Sequence, residues 1–186
     1  MSELPVQRFL LQVIAVLERL HVPYMIVGGF AVRTWGIPRP TYDADLAIAA
    51  SEEALTELLR ILEEEGFDVP EEHKKGWRDS VAGMGKVKVA RFEGTTLWDV
   101  DLFLVRGAFL ESALARRRAV RFCGREAWFV APEDLVLLKL IANRRKDQLD
   151  VEEILRISVS LDLAYLKEWA RRMGISERLE GFLESA

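Results

Sequence analysis

Val27-Gly28-Gly29-Phe30-Ala31-Val32-Arg33, followed closely by Arg39-Pro40-Thr41-Tyr42-Asp43-Ala44-Asp45-Leu46, is the stretch that decides how this chain is read. Tyr24 to Val27 is a short apolar run that ends at Gly28, so it reads as a buried strand. Phe30 to Trp35 then reads as a short helix, and Gly36 to Pro40 as a turn punctuated by two prolines. Tyr42 to Ala49 reads as a second strand. On a strand, successive side chains alternate, so Asp43 and Asp45 share one face while Tyr42, Ala44 and Leu46 take the other.

Two neighbouring carboxylates repel unless a cation sits between them. Magnesium suits such a pair, because it takes one or two carboxylates together with substrate phosphates. Alone, an Asp-x-Asp pair on a solvated strand has the same spelling. Gly28-Gly29, between a strand and a helix, adds room for a phosphate to approach main-chain N–H groups and a helix N-terminus. Asp99-Val100-Asp101-Leu102-Phe103-Leu104 is another strand that carries acids amid apolar residues. An acid in a buried run is costly without a partner. Asp101 lies deeper in that run than Asp99, which makes it the better third acid.

Outward from this centre the chain alternates. A helix covers Met1 to Leu20, with Phe9, Val13, Val16 and Leu20 at helical spacing. A second helix runs from Ser51 to Glu65, and Phe67 to Val69 is a brief strand. Pro70 to Gly85 reads mostly as loop. Lys86 to Phe92 and Leu97 to Val105 form a hairpin about Glu93-Gly94-Thr95. A helix from Ala108 to Arg117 and short strands near Val120-Phe122 and Ala127-Val130 complete the mixed part. From Pro132 onward the pattern is helical, with breaks near Arg145, Ser158-Ser160 and Gly174. The expected fold is α/β (α+β), a mixed sheet flanked by helices. Residues 1–131 form the core, and 132–186 form a helical segment packed on it as a single compact unit.

Composition excludes several classes. A net charge of −4 is not that of a general nucleic-acid coat. One cysteine, Cys123, and two histidines, His21 and His73, exclude an internal disulfide and a cysteine- or histidine-built metal centre. The N-terminal stretch is amphipathic where a signal peptide would be uninterrupted, and no apolar run approaches the ~18 residues a membrane span needs. A cytoplasmic protein without membrane attachment is the expectation.

These motifs together resemble the signature of the DNA polymerase β-like nucleotidyltransferase superfamily: an apolar residue, Gly-Gly or Gly-Ser, a spacer, Asp-x-Asp, and a later acid. Gly28, Gly29, Asp43, Asp45 and Asp101 match it. The spelling Gly28-Gly29-Phe30-Ala31 with Arg39-x-Thr41-x-Asp43-x-Asp45 is most similar to the AbiEii-type toxins and small uncharacterised nucleotidyltransferases. Pro132 to Leu140, followed by Arg144-Arg145-Lys146-Asp147 and Asp150, is similar to their helical region. Gly29 stands where minimal antitoxin-type relatives have serine. Thr34 follows Arg33 where CCA-adding enzymes have Asp, which argues against that activity.

The resemblance implies two magnesium ions held by Asp43, Asp45 and Asp101, and a nucleoside triphosphate, ATP being the expected one. Gly28 and Gly29 would leave room for the phosphates, and Lys139 and Arg39 would add positive charge, with Arg33 a weaker candidate. It implies transfer of a nucleoside monophosphate to a hydroxyl of tRNA or a protein, in a toxin–antitoxin pair with a cognate antitoxin. Alternatives are a small-molecule acceptor of the aminoglycoside or lincosamide kind, and a non-catalytic nucleotide-binding partner. Arg116-Arg117-Arg118 and Lys74-Lys75-Gly76-Trp77-Arg78 are secondary candidates for touching RNA or covering a substrate. Thr41 is expected to order the turn before the Asp pair.

Overall fold

A computed structural model describes residues 5–38, 41, 43–74, 79–81, 84–158 and 160–184. Helix α1 (Pro5–Arg19) leads into strand β1 (Tyr24–Ile26), helix α2 (Gly28–Trp35) and strand β2 (Ala44–Ile48). Helices α3 (Glu52–Glu64) and α4 (Glu71–Lys74) precede strands β3 (Asp79–Val81), β4 (Met84–Glu93) and β5 (Thr96–Leu104). Helix α5 (Ala108–Ala115), strands β6 (Arg118–Phe122) and β7 (Arg125–Phe129), and helices α6 (Pro132–Ala142), α7 (Arg145–Ile157), α8 (Leu163–Arg172) and α9 (Ser176–Leu183) follow.

The described strands form one seven-stranded sheet in the order β3-β4-β5-β2-β1-β7-β6. It is mixed: β2 pairs parallel with β5, and β1 parallel with β7, while the other pairings are antiparallel. Two-residue periodicity gives the central strands two different faces. Ala44, Leu46 and Ile48 of β2 lie beside Val100, Leu102 and Leu104 of β5, and these six are buried. Helix α1 packs on β5 and β2, and on α3. The opposite face carries Asp45 and Ala47 of β2 next to Asp101 and Phe103 of β5, and Lys86 and Lys88 of β4 beyond them. On the sheet's far flank, α2 packs on β2, and α6 and α7 pack on α2.

Three expectations change. The stretch expected to be loop, Pro70 to Gly85, contains α4 and β3, and β4 begins within it at Met84; polar spelling hid a short helix and an edge strand. Phe67 to Val69 is reduced to one bridge, Asp68 with Ala90. Helix α2 starts at Gly28, two residues before Phe30, because Gly28 takes φ +61° as the chain turns from strand to helix. The helical breaks fall as expected. Asn143, left-handed at φ 49°, ends α6, and α7 starts at Arg145.

Two buried ionic clusters fix the helical part. Glu133 and Asp134 open α6 with almost no exposure, and Arg116 reaches both, at 3.2 and 3.3 Å. Tyr165 of α8 donates to Asp134 at 2.6 Å, and Arg116 lies 3.8 Å from the centre of its ring. Arg116 therefore ties α5, α6 and α8 together, which gives it a structural task in place of the RNA contact considered from the sequence. Arg117 lies over the ring of Trp128, and Arg118 reaches Glu133. Lys74 pairs with Glu63 and Glu71, while Lys75, Gly76, Trp77 and Arg78 lie outside the described residues. Among the described residues, no helix is long and apolar enough to cross a membrane.

Candidate active site

Asp45 and Asp101 occupy the same level of neighbouring parallel strands, β2 and β5. Register, not sequence distance, brings them together, and both line a cavity of about 890 Å³ between the sheet, α5, α6 and the start of α7. Asp43 lines the same cavity but precedes β2, so it stands exposed at the strand's mouth. Burial, then the charges of Asp101 and Asp43, push the Asp45 carboxyl up from 3.8 to about 6. Lys139 and Lys146 pull it the other way.

The glycines explain how the acids reach the helix. Gly28 is in the left-handed region, and a Cβ there would lie 1.9 Å from Oδ2 of Asp45. At Gly29 a Cβ would lie 2.4 Å from Oγ1 of Thr41. Thr41 is buried, and its hydroxyl donates to the carbonyl of Asp43 at 3.3 Å, ordering the turn as expected. Both missing side chains thus let the acidic turn lie directly against the N-terminus of α2. Gly28 lines the cavity, and the space a side chain at Gly29 would need is taken by Thr41.

Lysines that the sequence reading did not weigh sit beside the acids. Nζ of Lys86 donates to Asp101 at 3.0 Å, and Nζ of Lys88 donates to Asp99 at 2.6 Å. Lys88 also comes within 3.8 Å of Oδ1 of Asp101, which is buried and accepts no hydrogen bond. The alternation Lys86-Val87-Lys88-Val89 was the available signal: it places both lysines on one strand face, next to whatever β5 presents there.

Lys139 lines the cavity but is committed elsewhere. Its Nζ is 2.9 Å from Asp147 and 2.7 Å from Asp150, both buried. Arg144 joins Asp147 at 2.6 Å, holding that carboxyl below its ordinary range. The cations in the α6–α7 turn that lack such a commitment to Asp147 are Arg145 and Lys146, and Lys146 lines the cavity. Arg39 lies outside the described residues. Arg33 is placed with its guanidinium 6.0 Å from the ring centre of Phe30.

No family model matches the chain, and no curated protein matches it. Solved structures do match. A nucleotidyltransferase-like antigenic protein from Paracoccidioides brasiliensis superposes with a TM-score of 0.53 at 18% identity, over 96% of this chain and 92% of that one. The chain has the nucleotidyltransferase fold. Lincosamide antibiotic adenylyltransferase LnuA, solved with lincomycin bound, shares this fold with a TM-score of 0.56 and 15% identity, over 85% of this chain and all of that one. ANT(2")-Ia, in complex with adenylyl-2"-tobramycin, gives 0.57 and 16%, over 90% and 97%.

Proposed function

We propose that this chain is a cytoplasmic, magnesium-dependent nucleotidyltransferase that moves a nucleoside monophosphate from a nucleoside triphosphate, ATP being the expected one, to a hydroxyl acceptor. The observation that carries the reading is the register pairing of Asp45 with Asp101 in a cavity against the Gly28 end of α2. Catalysis in this reading belongs to the 1–131 core, on which the 132–186 helices close the cavity.

The donor chemistry fits magnesium. Oxygen ligands from carboxylates are what the ion takes, the mutual charge of Asp45, Asp101 and Asp43 calls for a cation, and Oδ1 of Asp101 is buried without a hydrogen bond. Among the described residues, no three His, Cys, Asp or Glu side chains are already drawn together to hold a metal. Asp43 at the strand mouth has to turn inward, and Lys86 has to release Asp101. Asp43, Asp45 and Asp101 would then be the ligands, and bound magnesium would supply charge neutralisation at the phosphates and a lowered pKa for the acceptor hydroxyl.

The chain's own groups do the rest. The N-terminus of α2 directs main-chain N–H groups toward the triphosphate, and Lys146 adds positive charge on the far wall. Asp101 orients the acceptor hydroxyl and takes up its proton. The acceptor oxygen bonds to the α-phosphorus as the bond to pyrophosphate breaks, with the two oxygens in line.

The solved structures with bound antibiotic or adenylylated antibiotic support a small-molecule acceptor over tRNA or protein. A toxin–antitoxin setting with a cognate antitoxin is the second reading, favoured by the spelling of Gly28 to Phe30 and Arg39 to Asp45. Magnesium-dependent turnover of each labelled triphosphate, with tRNA or small hydroxyl compounds present, tests the proposal. Asp43→Ala and Asp101→Ala are expected to lose at least a thousandfold in transfer while melting as cooperatively as the parent. Transfer retained in both variants rules the assignment out.

A further inference from the structure

Beyond the acids, the cavity changes character along β5. Phe103 is the next residue after Asp101 on the same strand face, and Ala47 lies beside it on β2, leaving a low floor there. Met84 of β4, Phe109 of α5, and Leu138 and Ile141 of α6 complete an apolar bay. Met84, Phe103, Phe109, Leu138 and Ile141 each keep part of their surface open, although they pack against the core. Side chains that are apolar and still half-open around a concave wall are what a small-ligand site offers.

The register fixes which substrate this bay serves. On β2 the acid site is Asp45. Gly28 lies one strand toward β1, at the level just before Asp45, because Ile26 pairs with Leu46 and the N–H of Val27 donates to the main-chain carbonyl of Asp45. Phe103 lies one strand the other way, on β5, and two residues further along. The phosphate end and the apolar bay are therefore at opposite corners of the acid pair. An in-line displacement needs the attacking oxygen opposite the departing pyrophosphate. If pyrophosphate leaves on the Gly28 side, the acceptor enters from the Phe103 side.

Charge narrows the class further. The bay's polar rim holds Lys86 and Arg106, and each is matched by a carboxylate: Lys86 by Asp101 at 3.0 Å, Arg106 by Glu52 at 3.9 Å. Arg106 is itself fixed by the carbonyls of Ala50, at 3.0 Å, and Val105. A polycationic acceptor would have to compete with Lys86 for Asp101 and with Arg106 for Glu52. We propose that the acceptor is an uncharged or singly charged small molecule that carries a hydroxyl next to an apolar or aromatic face, with that face bound by Phe103, Phe109 and Leu138. This rests on the nucleotidyl-transfer reading for its geometry, but the bay's preference is measurable without turnover.

Phenyl β-D-glucoside and methyl β-D-glucoside are suitable probes, since they differ in one apolar ring. Binding of each to the full chain is measured by calorimetry or saturation-transfer NMR, and magnesium–ATP binding is measured separately. The phenyl glucoside should bind at least tenfold tighter. Phe103→Ala and Leu138→Ala should each remove most of that preference and shift the ATP dissociation constant by less than threefold, with thermal melting confirming that both variants fold. Equal binding of the two glucosides overturns the proposal. So does a parallel loss of ATP affinity in both variants, which would give the bay to the nucleobase. Labelling of total tRNA that is indifferent to both substitutions also overturns it, in favour of a macromolecular acceptor. Failure of ATP to bind, with the phenyl preference intact, would sink the transfer reading and leave the bay's ligand class standing.

Discussion

Replacing Asp45 by asparagine is expected to stabilise the metal-free protein at neutral pH while abolishing transfer. The carboxyl is raised from 3.8 to about 6, first by burial and then by Asp101 and Asp43. Each pKa unit is worth about 1.4 kcal/mol, so ionised Asp45 costs the folded state at most about 3 kcal/mol. Asp45 keeps some contact with the open cavity, and screening there reduces the expected value to about 1–2 kcal/mol. The sign follows from linkage: a carboxyl raised on folding penalises the native state above its folded pKa. The penalty fades as pH falls through about 6 toward 4. Asparagine lacks the penalty at every pH. Urea unfolding in the presence of a chelator, at about pH 7.5 and again at about pH 3.5, measures this. Asp45→Asn should be more stable than the parent at the higher pH and indistinguishable from it at the lower. An equal or lower midpoint at neutral pH, or an advantage that persists in acid, would refute the account of the site as a repelling carboxylate pair.

Other expectations concern the frame around the acids. Gly28→Ala should cost about 1–3 kcal/mol in denaturant unfolding for its left-handed backbone and should also lower nucleotide affinity, because the new Cβ displaces Asp45; affinity equal to the parent's would contradict the close approach. Lys139→Met leaves Asp147 and Asp150 buried with one fewer cation and should cost about 3 kcal/mol in urea unfolding, at the low end of such losses because Arg144 remains. If the loss is instead confined to nucleotide binding, Lys139 serves the triphosphate. Lys86→Met removes the lysine that neutralises Asp101 and should tighten magnesium or manganese binding threefold to tenfold by calorimetry. Unchanged or weaker metal binding would show that Lys86 does not compete for that carboxylate.

The sequence by itself determined the strand-glycine-helix start, the strand position of Asp45, and the place of Asp101 in an apolar run, while Asp43, expected on the same strand face, precedes β2. These are local matters, set by the two-residue period of strands and the backbone freedom of glycine, and they are written within a few residues. It also carried a break near Arg145, which the structure realises as a left-handed Asn143 ending α6. What it left open were pairings between distant segments. Asp45 meets Asp101 because β2 and β5 run parallel in one register, and a slip of one residue would turn Asp101 to the core. Lys139 looked available for phosphate until α7 folded back and placed Asp147 and Asp150 on it. Arg116 looked like part of a basic surface until α6 and α8 brought buried Glu133, Asp134 and Tyr165 to it. In the last two cases a charge's role was decided by a partner from another element, which the spacing along one helix or strand does not record.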